Sequence, residues 1–230
     1  MIVERRLRSF GIGLTVVLLV LPVLMVSVVV AEDLNLPSTM VTIEVSDGVE
    51  SYFDTLLSNV PSGFDVENGT YAGWCVDVRT LMARSPAKHE ILLYSSINPP
   101  GELAAEKWDM VNYILNHKQG NAQDVQQAIW YFVHMDGGYT PTRTVAWAIV
   151  NDTLANGEGF MPVYGEAVGV ICYPAIMFPS EEVQISIIEV TCPVIPELQP
   201  TGIALLLLMA TTVIALTAGK GRQIRRKTYQ

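Results

Sequence analysis

Two side chains in this sequence make a nucleophile and an acyl donor. Cys75 stands in the run Trp74-Cys75-Val76-Asp77, and Gln126 in the run Val125-Gln126-Gln127-Ala128-Ile129-Trp130. Cysteine supplies a better nucleophile and leaving group than serine, and its thiolate fraction follows its surroundings. Attack of the sulfur on the glutamine carboxamide, with loss of ammonia, gives an internal thioester. An amine, such as a lysine on another molecule, then opens that bond and leaves an amide to the partner and a free thiol. Asp77, two residues along an extended chain, shares the face of Cys75; its charge opposes thiolate formation, and no catalytic role is assigned to it.

Two other readings use the same residues. Free cysteines rank among the most buried side chains, so Cys75 beside Trp74 also fits a structural thiol in a non-reactive surface module, with Gln126 and Gln127 as helix amides. A Cys75 and His117 dyad would instead suit a thiol hydrolase. His89 and His134 lack metal-ligand spacing to a third group, and no phosphate-binding glycine loop occurs, so no metal or cofactor is expected.

The elements that must position the pair follow from periodicity. From Thr39 to Ile97 the chain is mostly strand-like, with alternation in Met40-Val41-Thr42-Ile43-Glu44-Val45 and turns at Asp47-Gly48 and Pro61-Ser62-Gly63. Cys75 is expected early on a strand, with Gly73 allowing a neighbouring backbone to approach. Glu102 to His117 carries Ala104, Trp108, Val111 and Leu115 at helical spacing, ended by Gly120. A second helix follows, capped by Asn121 with Asp124 at its third position, and Gln126 falls at the edge of its apolar stripe, near solvent. A third helix is expected from about Thr142 to Ala155, and strands return up to Cys192. The fold class is therefore α+β, in strand, helix, strand order.

Cys172 lies in the strand-like run 167–173 and Cys192 ends the run from Val183, and the midpoint of the two cysteines is Glu182. A hairpin turning there would set them opposite each other as a disulfide, leaving Cys75 as the odd thiol.

The chain ends address the location. Residues 1–31 carry Arg5, Arg6 and Arg8, an apolar stretch from Phe10 to Val30, and a small residue at Ala31, the layout of an export signal. The stretch exceeds the usual ~7–15 residues of a signal core, so retention as an anchor stays open beside cleavage. Residues 196–230 hold Pro196-Glu197-Leu198, an apolar span from Ile203 to Ala218, and Lys220, Arg222, Arg225, Arg226 and Lys227, which read as a transmembrane helix with a cytoplasmic basic end. Residues 32–195 form one extracellular domain. From residue 32 to about 200 the chain carries 22 of the 23 acidic residues and 6 of the 14 basic ones, a net −16 that disfavours nucleic acid.

The chain resembles the thioester domains of cell-surface adhesins. In these an aromatic-Cys-apolar-acid run pairs with a Gln in a Thr-Gln-x-Ala pattern opening a helix; the matches are Trp74-Cys75-Val76-Asp77 and Gln126-Gln127-Ala128-Ile129-Trp130, with Val125 where the family has Thr. The resemblance covers roughly residues 40–190. It implies a barrel or sandwich with a helical insertion, Gln126 as acyl donor to Cys75, no enzymatic turnover, and covalent attachment to an amine-bearing protein or surface polymer. The tail resembles the PEF-type tails of archaeal surface proteins, with Leu198 in place of Phe. That likeness implies a sorting motif at Pro196, Glu197 and Leu198 and handling by a membrane transpeptidase, while a permanent tail anchor fits the same residues.

Overall fold

In the computed structural model of the protein, the described residues are 33–78, 80–133, 138–174 and 183–193. The expected export signal, sorting motif Pro196-Glu197-Leu198 and transmembrane span lie outside them. Among the described residues, no helix is long and apolar enough to cross a membrane.

Six strands, β1 (Val41–Asp47), β2 (Phe53–Ser58), β3 (Gly69–Cys75), β4 (Lys88–Ser95), β5 (Ala167–Pro174) and β6 (Ser186–Thr191), close into an antiparallel barrel in the order β1-β2-β3-β6-β5-β4. Of the two architectures expected, the barrel is the one formed. Strict alternation in β1 and β2 turns Val41, Ile43, Val45, Phe53 and Leu57 into the barrel, where they meet Ile91, Leu93, Val168, Val170 and Ile188. Each such side chain, fully withdrawn from water, contributes roughly 1.5–3 kcal/mol.

Between β4 and β5 the chain inserts three helices, α1 (Trp108–Asn116), α2 (Ala122–Phe132) and α3 (Thr144–Asn156). They cover the outer faces of β3, β5 and β6, where Trp74, Val76, Ile171 and Ile187 pack with Val111, Ile114, Val125, Ile129 and Ile149. The barrel strands at this wall are therefore apolar on both faces, unlike the cleanly alternating β1.

The first helix is shorter than its spacing predicts. Gly101–Leu103 forms a separate 3-10 turn, and α1 begins only at Trp108, whose indole nitrogen donates to the Leu103 carbonyl at 2.8 Å. Two side-chain amides of α1 tie it to β5. Asn116 pairs reciprocally with the Ala167 backbone, N–H and C=O both at 2.8 Å, and Asn112 Oδ1 accepts from Gly169 N–H at 3.0 Å. The cap of α2 is the expected capping box of Asn121 and Asp124. Gly120 just before it has φ +72°, and a Cβ there would lie 2.6 Å from Asp124 Oδ2.

The predicted disulfide does not form: Cys75, Cys172 and Cys192 are all free thiols. In the β5–β6 register Cys172 faces Ser186, while Cys192 lies beyond the facing pair Ala167 and Thr191 at the far end of the hairpin. That register centres the hairpin on position 179 rather than 182, which displaces the two cysteines by six positions, about 20 Å of strand. A disulfide needs Cα atoms within about 7 Å.

Candidate functional site

Cys75 is the last residue of β3, not an early one as expected. It pairs with Ser186 of β6, and the ladder continues by one bond from Val76 N–H to the Ile185 carbonyl at 3.2 Å. Alternation sends Trp74 and Val76 outward to the helices and Cys75 inward. Trp74 is held on the outside by its indole N–H on Glu189 at 2.7 Å, with Lys118 above the ring and bonded to the same carboxylate. Gly73 permits the approach expected of it, since a Cβ there would lie 2.4 Å from Thr55 Oγ1 of β2.

From the other side comes α2. Gln126 is fully buried rather than placed near solvent, and its carboxamide is engaged by the backbone of Cys75. Its Oε1 accepts the Cys75 N–H at 2.8 Å and its Nε2 donates to the Cys75 carbonyl at 2.7 Å. The helix thus supplies, through one side chain, the two hydrogen bonds a neighbouring strand would give at the end of β3. Gln127 points elsewhere: its amide oxygen accepts from Thr142 N–H at 2.9 Å and orders the approach to α3. Of the two adjacent glutamines, Gln126 is the one that reaches Cys75.

The sulfur itself meets a different glutamine. The Cys75 thiol donates to the Asp77 carbonyl at 2.9 Å and lies against the carboxamide of Gln184. With its nitrogen turned to the surrounding carbonyls, that carboxamide donates to Asp77 O at 2.8 Å and Thr80 O at 3.3 Å. Gln184 is 5% exposed, two residues before Ser186, and on the same inward face of the chain. Sequence reasoning passed over it as one polar residue in the strand-like run Val183-Gln184-Ile185-Ser186-Ile187. The signal available was its parity, because an amide at an inward position among apolar neighbours must find a buried partner.

The surroundings keep the sulfur neutral. Burial pushes the Cys75 thiol up to about 12, reinforced by the Asp77 charge and opposed by the indole of Trp130. Such a thiol is protonated at neutral pH, the reverse of a catalytic cysteine activated by lowered pKa. His117 is also placed elsewhere: its ring stacks on Tyr113 at 4.0 Å, its Nδ1 meets the Tyr113 carbonyl at 2.9 Å, and Phe160 closes the edge at 5.8 Å. The structure does not join it to Cys75. What the arrangement can do chemically is hold a buried thiol against a buried carboxamide, with the chain around the thiol clamped.

No protein-family model matches the chain. No curated protein matches it either. Among solved structures, the chain is similar to the N-terminal thioester domain of a surface protein from Clostridium perfringens, at 12% identity and a TM-score of 0.41, with 65% of this chain and 98% of that one covered.

Proposed function

We propose that this domain forms an internal thioester at Cys75 and uses it to acylate an amine of a partner, attaching the surface that carries it to another. The observation that carries the reading is the buried Cys75 thiol seated against the Gln184 carboxamide. On that contact the acyl donor is Gln184, and Gln126 is the clamp that holds the Cys75 backbone in place. Gln126, the donor that the motif resemblance implies, is bonded through both polar atoms of its carboxamide to the Cys75 backbone and is the competing donor that the labelling experiment must separate from Gln184.

The steps balance without a cofactor. The sulfur attacks Cδ of Gln184, an S–C bond forms, the C–N bond breaks, and ammonia leaves with the thiol proton. A partner amine then attacks the same carbon. The C–S bond breaks, a proton passes from nitrogen to sulfur, and Gln184 ends as an N-substituted amide. The bond is used once, so the protein is a covalent binder rather than an enzyme. Burial favours the thioester over the ionised sulfur, because a thioester carries no charge to desolvate. The partner is an amine-bearing protein or surface polymer. The export signal and apolar tail of the sequence fit action at the cell surface, with membrane anchoring or transpeptidase transfer through Pro196-Glu197-Leu198 as the means of attachment.

Intact mass of freshly purified, non-reduced protein tests the reading. It should be one ammonia lighter than the sequence mass, and methylamine should add to it stoichiometrically. Full mass and no uptake of methylamine would refute it.

A further inference from the structure

Trp130 lies one helical turn beyond Gln126 on α2, so the two side chains share a face. Gln126 is fixed to the Cys75 backbone, which brings Trp130 over the same residue. Its indole ring is held at two sides, by Tyr52 at 5.6 Å and Tyr139 at 5.0 Å between centroids. Yet its Nε1–H is buried and makes no hydrogen bond of ordinary geometry. A buried donor without an acceptor costs about 1–3 kcal/mol, and such groups persist where something other than stability selects them. The group this N–H acts upon is the Cys75 sulfur, where it offsets part of the burial that opposes charge.

We propose that the Trp130 indole N–H is the donor that receives the Cys75 sulfur as it gains negative charge, both when the thioester closes and when it opens. The inference rests on the thioester reading above. The other groups on the sulfur cannot do this. The Asp77 carbonyl is an acceptor, and the Gln184 carboxamide is the reacting partner, whose nitrogen departs. In the resting thiol the N–H is underused. When the thiol gives up its proton to attack, or when the C–S bond breaks under an incoming amine, negative charge sits on sulfur and the waiting N–H closes on it. A donor fixed in advance, in a site closed to water, is worth most at the moment when charge develops.

Trp130→Phe removes the N–H and keeps an aromatic ring between Tyr52 and Tyr139. Methylamine should open the thioester of this variant at least about tenfold more slowly than that of the wild type, the scale on which fixed donors act. A second measurement does not need the bond. In Gln184→Ala protein, which has no acyl donor, the indole ¹H–¹⁵N resonance of Trp130 should move when Cys75→Ala is added. Opening within twofold of the wild-type rate would overturn the proposal, as would an indole resonance indifferent to Cys75. If Trp130→Phe does not fold, the resonance decides alone. Wild-type protein of full mass would instead refute the thioester, and the resonance experiment separates that failure from this one.

Discussion

Gln126→Glu tests whether the carboxamide at this position is a clamp on Cys75. The wild-type side chain needs a donor as well as an acceptor, since Nε2 gives a hydrogen bond to the Cys75 carbonyl at 2.7 Å and Oε1 takes one from the Cys75 N–H at 2.8 Å. A glutamate has nearly the same shape but supplies the donor only when protonated. Ionised, it would set a buried negative charge against a carbonyl oxygen, at a position with no exposure. The folded-state pKa of the introduced carboxyl group is therefore raised above its unfolded value of about 4.3. The sign follows: stability close to wild type below about pH 4.3, lost as pH rises towards the folded-state pKa. If that pKa reaches about 7, the loss at about pH 7 is about 3 to 4 kcal/mol, from about 1.4 kcal/mol for each of roughly 2.7 pH units. Urea unfolding of variant and wild type at about pH 4 and about pH 7 measures it. A variant penalty of the same size at both pH values would refute the clamp.

Three further outcomes follow from the same geometry. Opening the thioester with methylamine releases a covalent loop between residues 75 and 184, and by the loop-closure relation used for disulfides this should cost up to about 5 kcal/mol, seen as a lower melting temperature in the treated protein. The buried thiols make the opened protein alkali-sensitive: burial pushes Cys75 and Cys172 up to about 12 and Cys192 up to about 11, so the folded state holds these protons more tightly than the unfolded one. Stability should be constant up to about pH 8.5 and then fall by about 1.4 kcal/mol per pH unit for a fully buried thiol such as Cys172, a slope that Cys172→Ala flattens in pH-dependent denaturation. At the β2–β3 contact, Gly73→Ala should destabilise by about 2 kcal/mol or more, because the new Cβ meets Thr55 Oγ1 and the Phe53 backbone, whereas Thr55→Val, which removes a buried hydroxyl without a hydrogen-bond partner, should be neutral or stabilising in thermal melts.

Much of this arrangement was legible in the residues. Alternation in β1, the Asn121 and Asp124 cap, the helical spacing of α2 and the close-approach role of Gly73 are local features, and each took the expected form. The hairpin register was not local. It depends on where the turn falls, and a shift of three residues in its centre separated Cys172 from Cys192 by the length of a strand. Nor was the burial of Gln126 written in its own helix. Its place beside the apolar stripe suggested an edge, but the end of β3 needs hydrogen bonds there, and satisfying them draws the amide fully inside. Gln184 was hidden for the same reason, as its meaning lies in the ladder that sets β6 beside β3.

One experiment decides whether Cys75 and Gln184 exchange an acyl group, as proposed, while Gln126 holds the chain. Reacting the protein with isotopically labelled methylamine and sequencing its peptides by fragmentation locates the new amide directly. The label is expected on Gln184, with Cys75 returned as a free thiol. Label on Gln126, or none on either glutamine, would contradict it.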